Sequence, residues 1–382
     1  MGVVTTGRFH VLDLARELHD LGHDVQFYSY LPLSRCIEHG LPEECYRALS
    51  RSLWPVVAAR HLAPTRFQNR LVVVANSLLD LVAAQRVEAC DTLIGMSGIA
   101  IKAAETARRN YSATVFIERA SEHIFSQRET LLSMPAGRRS CITCAEVDRE
   151  LRSYAAADVI TVPSHHVEAS FVELGTAREK LFRNPFGVDL AVFAPTAVPS
   201  SLSPTVIFAG LWCYEKGCDL LWEACRRASG KWRLLHVGEV GDAQLPRSSS
   251  FEHIDAVRQN ELPRFYARAH VAVLASRQDG YGMVLNQAAA CGLPIVCTDK
   301  TGGRDLQELI GGSKFVHVVP AGDVEALNAA IDDALNRAQT QISPRDYLGA
   351  GRKKISWRAY GQRYSVELER RRGTPARATS ET

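Results

Sequence analysis

The chain has 382 residues, of which 46% are hydrophobic and 23% charged, and its net charge is +3. That length is too great for one ordinary core, so two domains are expected, and the composition excludes a disordered chain. The small charge excludes a nucleic-acid binder, and no window holds the roughly 18 uninterrupted apolar residues of a membrane helix.

The longest apolar candidate, residues 71–84, is broken by Asn76, Ser77 and Asp80. The N-terminus lacks the basic-then-apolar pattern of a secretory signal. Ten cysteines are scattered through strand-like and helix-like stretches and read as small buried hydrophobes of a reducing compartment. Cys141 and Cys144 form a lone Cys-x-x-Cys with no further ligands spaced for zinc, so no metal is expected.

In chain order, Val3, Val4 and Thr5 make a short first strand that leads through Gly7 into an amphipathic helix with Leu12, Leu14, Ala15, Leu18 and Leu21 on one stripe. Residues 25–30 read as a second strand. Residues 31–90 are mostly helical, with a Pro- and Arg-containing loop over 55–70. Strands follow at 92–95, 113–117 and 158–162, with a helix over 99–109. The strand at 113–117 runs into Glu118, Arg119 and, at the end of the same loop, His123. Glu118 and Arg119 either face a cleft or pair with each other. Residues 184–189 are an extended linker, and 195–204, rich in Pro, Ser, Thr and Ala, is a second one.

A new alternation begins after it, with strands at 206–209, 234–237, 254–257, 271–275, 295–298 and 316–319 and helical patterns between most of them. It reads as a second parallel sheet. Two loops in this half carry chemistry. In the first, Gly210 leaves a strand and Lys216-Gly217 precedes a helix, so a cation sits beside free helix amides. In the second, Asp279 leads into Gly280-Tyr281-Gly282, and a helix starts at Met283 and Val284 with Gln287 about two turns in. In an open α/β sheet, ligands bind beyond the carboxyl ends of the strands, which is where both loops lie. Gly303 and Arg304 form a third loop after the 295–298 strand, and Glu239 and Val257 sit at strand ends. The last helix, 357–371, carries Trp357, Tyr360, Tyr364 and Leu368 on one face, and residues 373–382 are expected to be disordered.

The run from Asp279 to Pro294, with Lys216-Gly217 and Asn184-x-x-Gly187-Val188-Asp189, resembles the retaining glycosyltransferases of family 4. The resemblance implies a GT-B fold, an α/β architecture of two Rossmann-like domains whose parallel sheets face a cleft. It places an acceptor-side domain at 1–195, a nucleotide-sugar donor domain at 200–350, and a C-terminal helix, 355–372, crossing back onto the first domain. It implies a sugar transferase that needs no metal or other cofactor and uses a nucleoside-diphosphate sugar as co-substrate. Acceptors would be glycans, lipids or small molecules, and the anomeric configuration would be retained.

By the same resemblance Gly210, Lys216 and the backbone from Gly280 through Tyr281, Gly282, Met283 and Val284 hold the donor diphosphate. Asp279 lies by the sugar, Gln287 by the ribose, and Glu239 and Val257 by the base. His123 stands on the acceptor side near the reacting sugar, with Gly7, Glu118, Arg119, Gly303 and Arg304 elsewhere in the cleft. The chain departs from the family pattern in two places: Leu211 stands where an arginine is usual, and Gln287 where a second acid is usual. Arg304 is the place to look for a compensating cation. The first strand is stubby and only one glycine precedes the first helix, so a shortened start is expected. A cytoplasmic protein is expected, with the basic clusters 352–354 and 369–372 available to anionic membrane lipid. Two other functions remain open: a nucleotide-sugar binding scaffold on a decayed frame, and a sugar-nucleotide epimerase.

Overall fold

The computed structural model describes residues 1–49, 65–135, 142–199, 204–312, 314–340 and 344–372. Cys141, much of the 55–70 loop, the centre of the 195–204 linker and the 373–382 tail lie outside the described residues. Within them, the first sheet is built from β1 (Gly2–Val4), β2 (Gln26–Ser29), β3 (Tyr46–Ala48), β4 (Thr92–Met96), β5 (Thr114–Glu118), β6 (Val159–Val162) and β7 (Leu181–Arg183). Its order is β3-β2-β1-β4-β5-β6-β7, parallel throughout. The second is built from β8 (Thr205–Ala209), β9 (Arg233–Val237), β10 (Phe251–Ile254), β11 (Val271–Leu274), β12 (Ile295–Thr298) and β13 (Val316–Val319). Its order, also parallel, is β10-β9-β8-β11-β12-β13.

The central strands are fully buried because helices cover both faces, which is why they appear in the sequence as short unbroken apolar runs. The edge strands differ. Tyr46–Ala48 and Phe251–Ile254 are half-exposed and carry polar residues, so neither is an apolar run. The first was not expected at all. The second lies three residues before the expected 254–257, because Ile254 pairs with Val237 at the very end of β9. Leu181–Arg183 is likewise an unexpected strand, lying just before the linker expected at 184–189. Residues 65–70 belong to the helix Thr65–Arg86 and not to a loop.

The final helix, Trp357–Arg372, packs on the first domain as expected. Trp357, Tyr360, Tyr364 and Leu368 join the core of the first sheet, not that of the second. Gly361 lets this helix approach the helix His10–Asp20: a Cβ there would lie 2.5 Å from the Glu17 side chain. The chain passes between the domains twice, at 184–189 and at 355–357. The two passages run parallel, Val188 beside Ser356, and the Val188 amide donates to the Ile355 carbonyl at 2.8 Å. Gly187 is needed there, since a Cβ would sit 2.5 Å from the Trp357 backbone. Among the described residues every cysteine but Cys144 is buried and none is bridged, and no helix is long and apolar enough to cross a membrane.

Candidate active site in the interdomain cleft

Glycines draw the two loops of the second domain together. Gly217 has φ +67° and caps the helix Cys218–Arg227, and a Cβ on it would lie 2.0 Å from the Ala275 carbonyl oxygen at the end of β11. Its neighbour Lys216 is thereby pressed beside the β11 turn, where its Nζ meets Asp279 Oδ2 at 2.8 Å. Burial alone would lower the Lys216 pKa, but Asp279 and Glu215 outweigh it and hold the ammonium above its ordinary value. Asp279 also accepts the Tyr281 amide at 3.2 Å, closing the turn. Gly282, φ +78°, then caps the helix Met283–Ala290, whose first amides have no carbonyl one turn earlier to bond.

Gly210, Lys216, Asp279 and the run from Tyr281 to Val284 line one cavity of about 290 Å³, closed from the first-domain side by Ala120 and Phe186. This brings together most of the residues expected at a donor diphosphate. A cation, a carboxylate and a helix N-terminus face one space, a set suited to an anionic ligand bearing hydroxyl groups. Gly280 lies at the same turn and presses against the opposite domain. A Cβ on it would stand 1.7 Å from the Ala120 carbonyl oxygen, and Ser164 Oγ donates to its carbonyl at 2.5 Å.

Two residues that sequence reasoning missed fix this turn. Asn286 is fully buried; it accepts the Tyr281 hydroxyl at 3.0 Å and donates to the Phe186 carbonyl at 2.7 Å, tying the turn to the linker. A lone Asn in an otherwise small, apolar helix was the available signal. His166 in the first domain bonds Ser164 at 3.0 Å and its Nε2 is buried. Burial, then nearby Lys300, lowers its pKa to about 4.

Other expected site residues lie elsewhere. Gln287 is buried, and its amide oxygen accepts the Tyr266 hydroxyl at 3.3 Å inside the second domain. Glu239 is exposed beyond β9, its carbonyl accepting the Trp212 amide, and Val257 packs half-buried on the second core. Gly303 serves packing, because a Cβ would lie 2.2 Å from Cys297 Sγ, and neighbouring Gly302 makes room for the Tyr281 ring. Arg304 is exposed and lines a separate cavity with His166, Lys300 and Thr301, away from Lys216. Gly7 is half-buried in the turn after β1, its amide 3.4 Å from the Thr5 hydroxyl.

The first-domain expectations need correction. Glu118 neither faces the cleft nor pairs with Arg119. It is buried against His10 Nε2 at 2.8 Å and the Tyr364 hydroxyl at 2.7 Å, because the C-terminal helix brings Tyr360 and Tyr364 onto the end of β5. Arg119 turns to Glu150 at 3.1 Å and to the Glu122 carbonyl. His123 caps the helix Ile124–Ser133, its Nδ1 accepting the Phe125 amide, and its ring is buried among Phe125, Tyr154 and Phe171. Burial, with Arg119 nearby, lowers its pKa to about 4.

Across the cleft mouth His165, Asp305 and Glu308 lie close enough to hold a metal ion. Arg183 already occupies that position, bonding Asp305 at 2.7 Å and Glu308 at 3.0 Å, so the cluster is an ionic tie between the domains.

Residues 203–337 match the family model of the glycosyl transferases group 1. A GDP-mannose-dependent alpha-mannosyltransferase of Mycobacterium tuberculosis is 32% identical over 179 residues, 44% of this chain and 46% of that protein. The D-inositol 3-phosphate glycosyltransferase of Xylanimonas cellulosilytica is 24% identical over 235 residues, 53% of this chain and 54% of that protein. The chain thus spans about half the length of these curated relatives. Among solved structures, sucrose-phosphate synthase from Thermosynechococcus elongatus superposes with a TM-score of 0.65 at 17% identity, covering 97% of this chain and 98% of that one. The chain is a two-domain α/β protein of the GT-B fold, and residues 203–337, in its second domain, match the group 1 glycosyltransferase model.

Proposed function

We propose that this chain is a retaining, metal-independent glycosyltransferase of family 4. It would move a hexosyl group from a nucleoside-diphosphate sugar, held by the second domain, to a hydroxyl of a glycan, lipid-linked or small-molecule acceptor presented by the first. The observation that carries this reading is the Lys216–Asp279 pair at 2.8 Å on a cavity that the Gly282–Met283 helix start also faces. A diphosphate entering that cavity meets an ammonium and unpaired helix amides, while Asp279, released from Lys216, is free to accept a sugar hydroxyl.

In the transfer the bond from the anomeric carbon to the phosphate oxygen breaks, and its electron pair leaves with the nucleoside diphosphate. A new bond forms to the acceptor oxygen as its proton passes to the departing phosphate oxygen. Negative charge grows on the departing phosphate, where Lys216 and the fixed amide dipoles are already aimed. The ammonium supplies there the positive charge that a metal ion would otherwise bring. A protein working on lipid-linked acceptors would act at the cytoplasmic membrane face, with the 352–354 and 369–372 basic clusters turned to anionic lipid.

The test is release of nucleoside diphosphate from UDP-, GDP- and ADP-sugars with and without glycan or lipid acceptors. Acceptor-dependent release supports transfer. A sugar altered without acceptor identifies an epimerase, and neither event with intact donor binding identifies a scaffold. Both of the last two overturn the proposal.

A further inference from the structure

Two histidines that the cleft chemistry does not use stand edge to edge behind Gly210. His236, on β9, is fully buried, and its Nδ1 lies 2.9 Å from Nδ1 of His253 on β10, with the ring planes 19° apart. Its other nitrogen, Nε2, lies 2.9 Å from the Gly210 carbonyl oxygen. Phe208 and Trp212 pack on the same ring, at 5.4 and 5.0 Å between centroids. On the outer side, His253 Nε2 meets the almost fully exposed Asp255 carboxylate at 3.2 Å.

The place of each proton in this row follows from what it faces. A carbonyl oxygen only accepts, so His236 Nε2 carries the hydrogen and donates it to Gly210. Burial lowers the His236 pKa to about 4, so the ring is neutral and its Nδ1 is bare. Nδ1 of His253 is then the donor between the rings. The reverse arrangement gives His253 a bond to Asp255 but leaves His236 Nε2 and the Gly210 carbonyl as two acceptors face to face. That buried loss outweighs a contact with an exposed carboxylate.

The Gly210 carbonyl sets the direction of a second group. A trans peptide is planar, and its N–H points opposite to its C=O. In the sheet β8 lies between β9 and β11. Gly210 and Trp212 both turn their amides to the β9 side, donating to the Val237 and Glu239 carbonyls at 3.0 and 2.8 Å. The Leu211 amide between them therefore turns to the β11 side. The cavity between Gly210 and Val284 opens there, lined by Ala209 and Gly210 beside Leu274 and Asp279. Among the described residues the Leu211 amide has no hydrogen-bond partner. Gly210, at φ +147°, has no side chain to stop this peptide from turning over; the bond from His236 does so.

We propose that His236, held in one tautomer by His253, is a positioning residue that aims the Leu211 amide at a phosphate in this cavity. The inference rests on reading the cavity as a diphosphate site. The Leu211 side chain brings no charge, and Arg304 lines another cavity. A backbone N–H of fixed direction serves instead, and an ionised phosphate oxygen makes the stronger kind of bond to it.

The experiment is calorimetric titration of UDP, GDP and inorganic pyrophosphate into the full chain, His236→Phe and His236→Gln. Thermal melting checks folding, and NMR of the imidazole nitrogens reads the tautomer directly. Phenylalanine keeps a ring between Phe208 and Trp212 but has no N–H, whereas glutamine can place an amide N–H at the Nε2 position. His236→Phe is expected to weaken pyrophosphate, and whichever nucleotide binds, by about tenfold each, and His236→Gln to restore most of that loss. In the unaltered chain His236 is expected to be protonated at Nε2 and bare at Nδ1; protonation at Nδ1 overturns the inference. So does unchanged affinity in a folded His236→Phe, or a loss confined to the nucleotide, which would put the effect at the base. Should His236→Phe not fold, His253→Phe, on the half-exposed edge strand, decides: a loss shared by pyrophosphate and nucleotide supports the inference, and unchanged affinity overturns it. Pyrophosphate binding without UDP or GDP binding sinks the nucleotide-sugar reading and leaves His236 to be judged by the pyrophosphate titrations. No binding of any probe to the unaltered chain sinks both.

Discussion

The two walls of the cleft behave differently. On the second-domain wall, Gly210, Lys216, Asp279 and the run from Tyr281 to Val284, singled out by glycine and turn pattern, line one cavity. On the first-domain wall, Glu118 and His123 turn inward to structural partners, while Arg119, bonded to Glu150, lines a separate cavity with Ser97 and Gln127. The second-domain wall is shaped by backbone turns that set Lys216 beside Asp279. Its glycines are dictated by close approach and by positive φ, constraints local enough to leave a mark in sequence. The first-domain wall is made of side chains, and where these point is decided by what packs on them.

The sharpest way to break this contrast is at the place where the walls touch. Gly280→Ala puts a methyl 1.7 Å from the Ala120 carbonyl oxygen, so the domains must part. Turnover is expected to fall about a hundredfold, with far-ultraviolet circular dichroism and melting little changed, because the clash lies between domains and not within one. Near-normal turnover would mean that the walls do not approach this closely in the working enzyme.

Next in size is Asp279→Asn. It keeps the shape of the turn but gives up the charge facing Lys216, and turnover should drop about tenfold, more than donor binding does. Equal turnover would remove Asp279 from the sugar.

For the inward-facing residues the expected loss is stability and not activity. Glu118→Gln weakens its bonds to His10 and Tyr364 and should cost about 1–3 kcal/mol in urea unfolding, with kcat unchanged at 25 °C. A fall in kcat with stability intact would return Glu118 to the cleft.

His123 gives a smaller, pH-dependent effect. Its folded pKa is about 4 against an ordinary 6.5, so the native state stays neutral where the unfolded chain takes up a proton. The stability it confers is therefore complete above pH 6.5 and is lost as pH falls toward 4. Replacing it with Gln should flatten that decline by up to about 1.4 kcal/mol per pH unit, read from urea unfolding at pH 7 and pH 5. Identical pH slopes in the two proteins would contradict this placement.

The same contrast explains what the sequence could reveal. Both sheets, the linker and the returning helix were legible, since buried parallel strands are apolar runs and Trp357, Tyr360 and Tyr364 share one helical face. The edge strands Tyr46–Ala48 and Phe251–Ile254 were missed or misplaced, because a half-solvated edge needs no apolar run. The Glu118 contacts were invisible for another reason: Tyr364 lies 246 positions away, and no local pattern encodes that meeting. Asn286 was overlooked because its partner, the Phe186 carbonyl, comes from the other domain's linker.

The proposed function turns on the cavity between Gly210 and Val284, and Lys216 is the cation among the described residues that line it. The most direct measurement is calorimetric titration of UDP and GDP into the unaltered chain and into Lys216→Ala. A loss of about tenfold in affinity, about 1.4 kcal/mol, is the predicted result for whichever nucleotide binds. Indistinguishable affinities would show that the diphosphate lies elsewhere, and the assignment of this cleft to a nucleotide-sugar would fall with it.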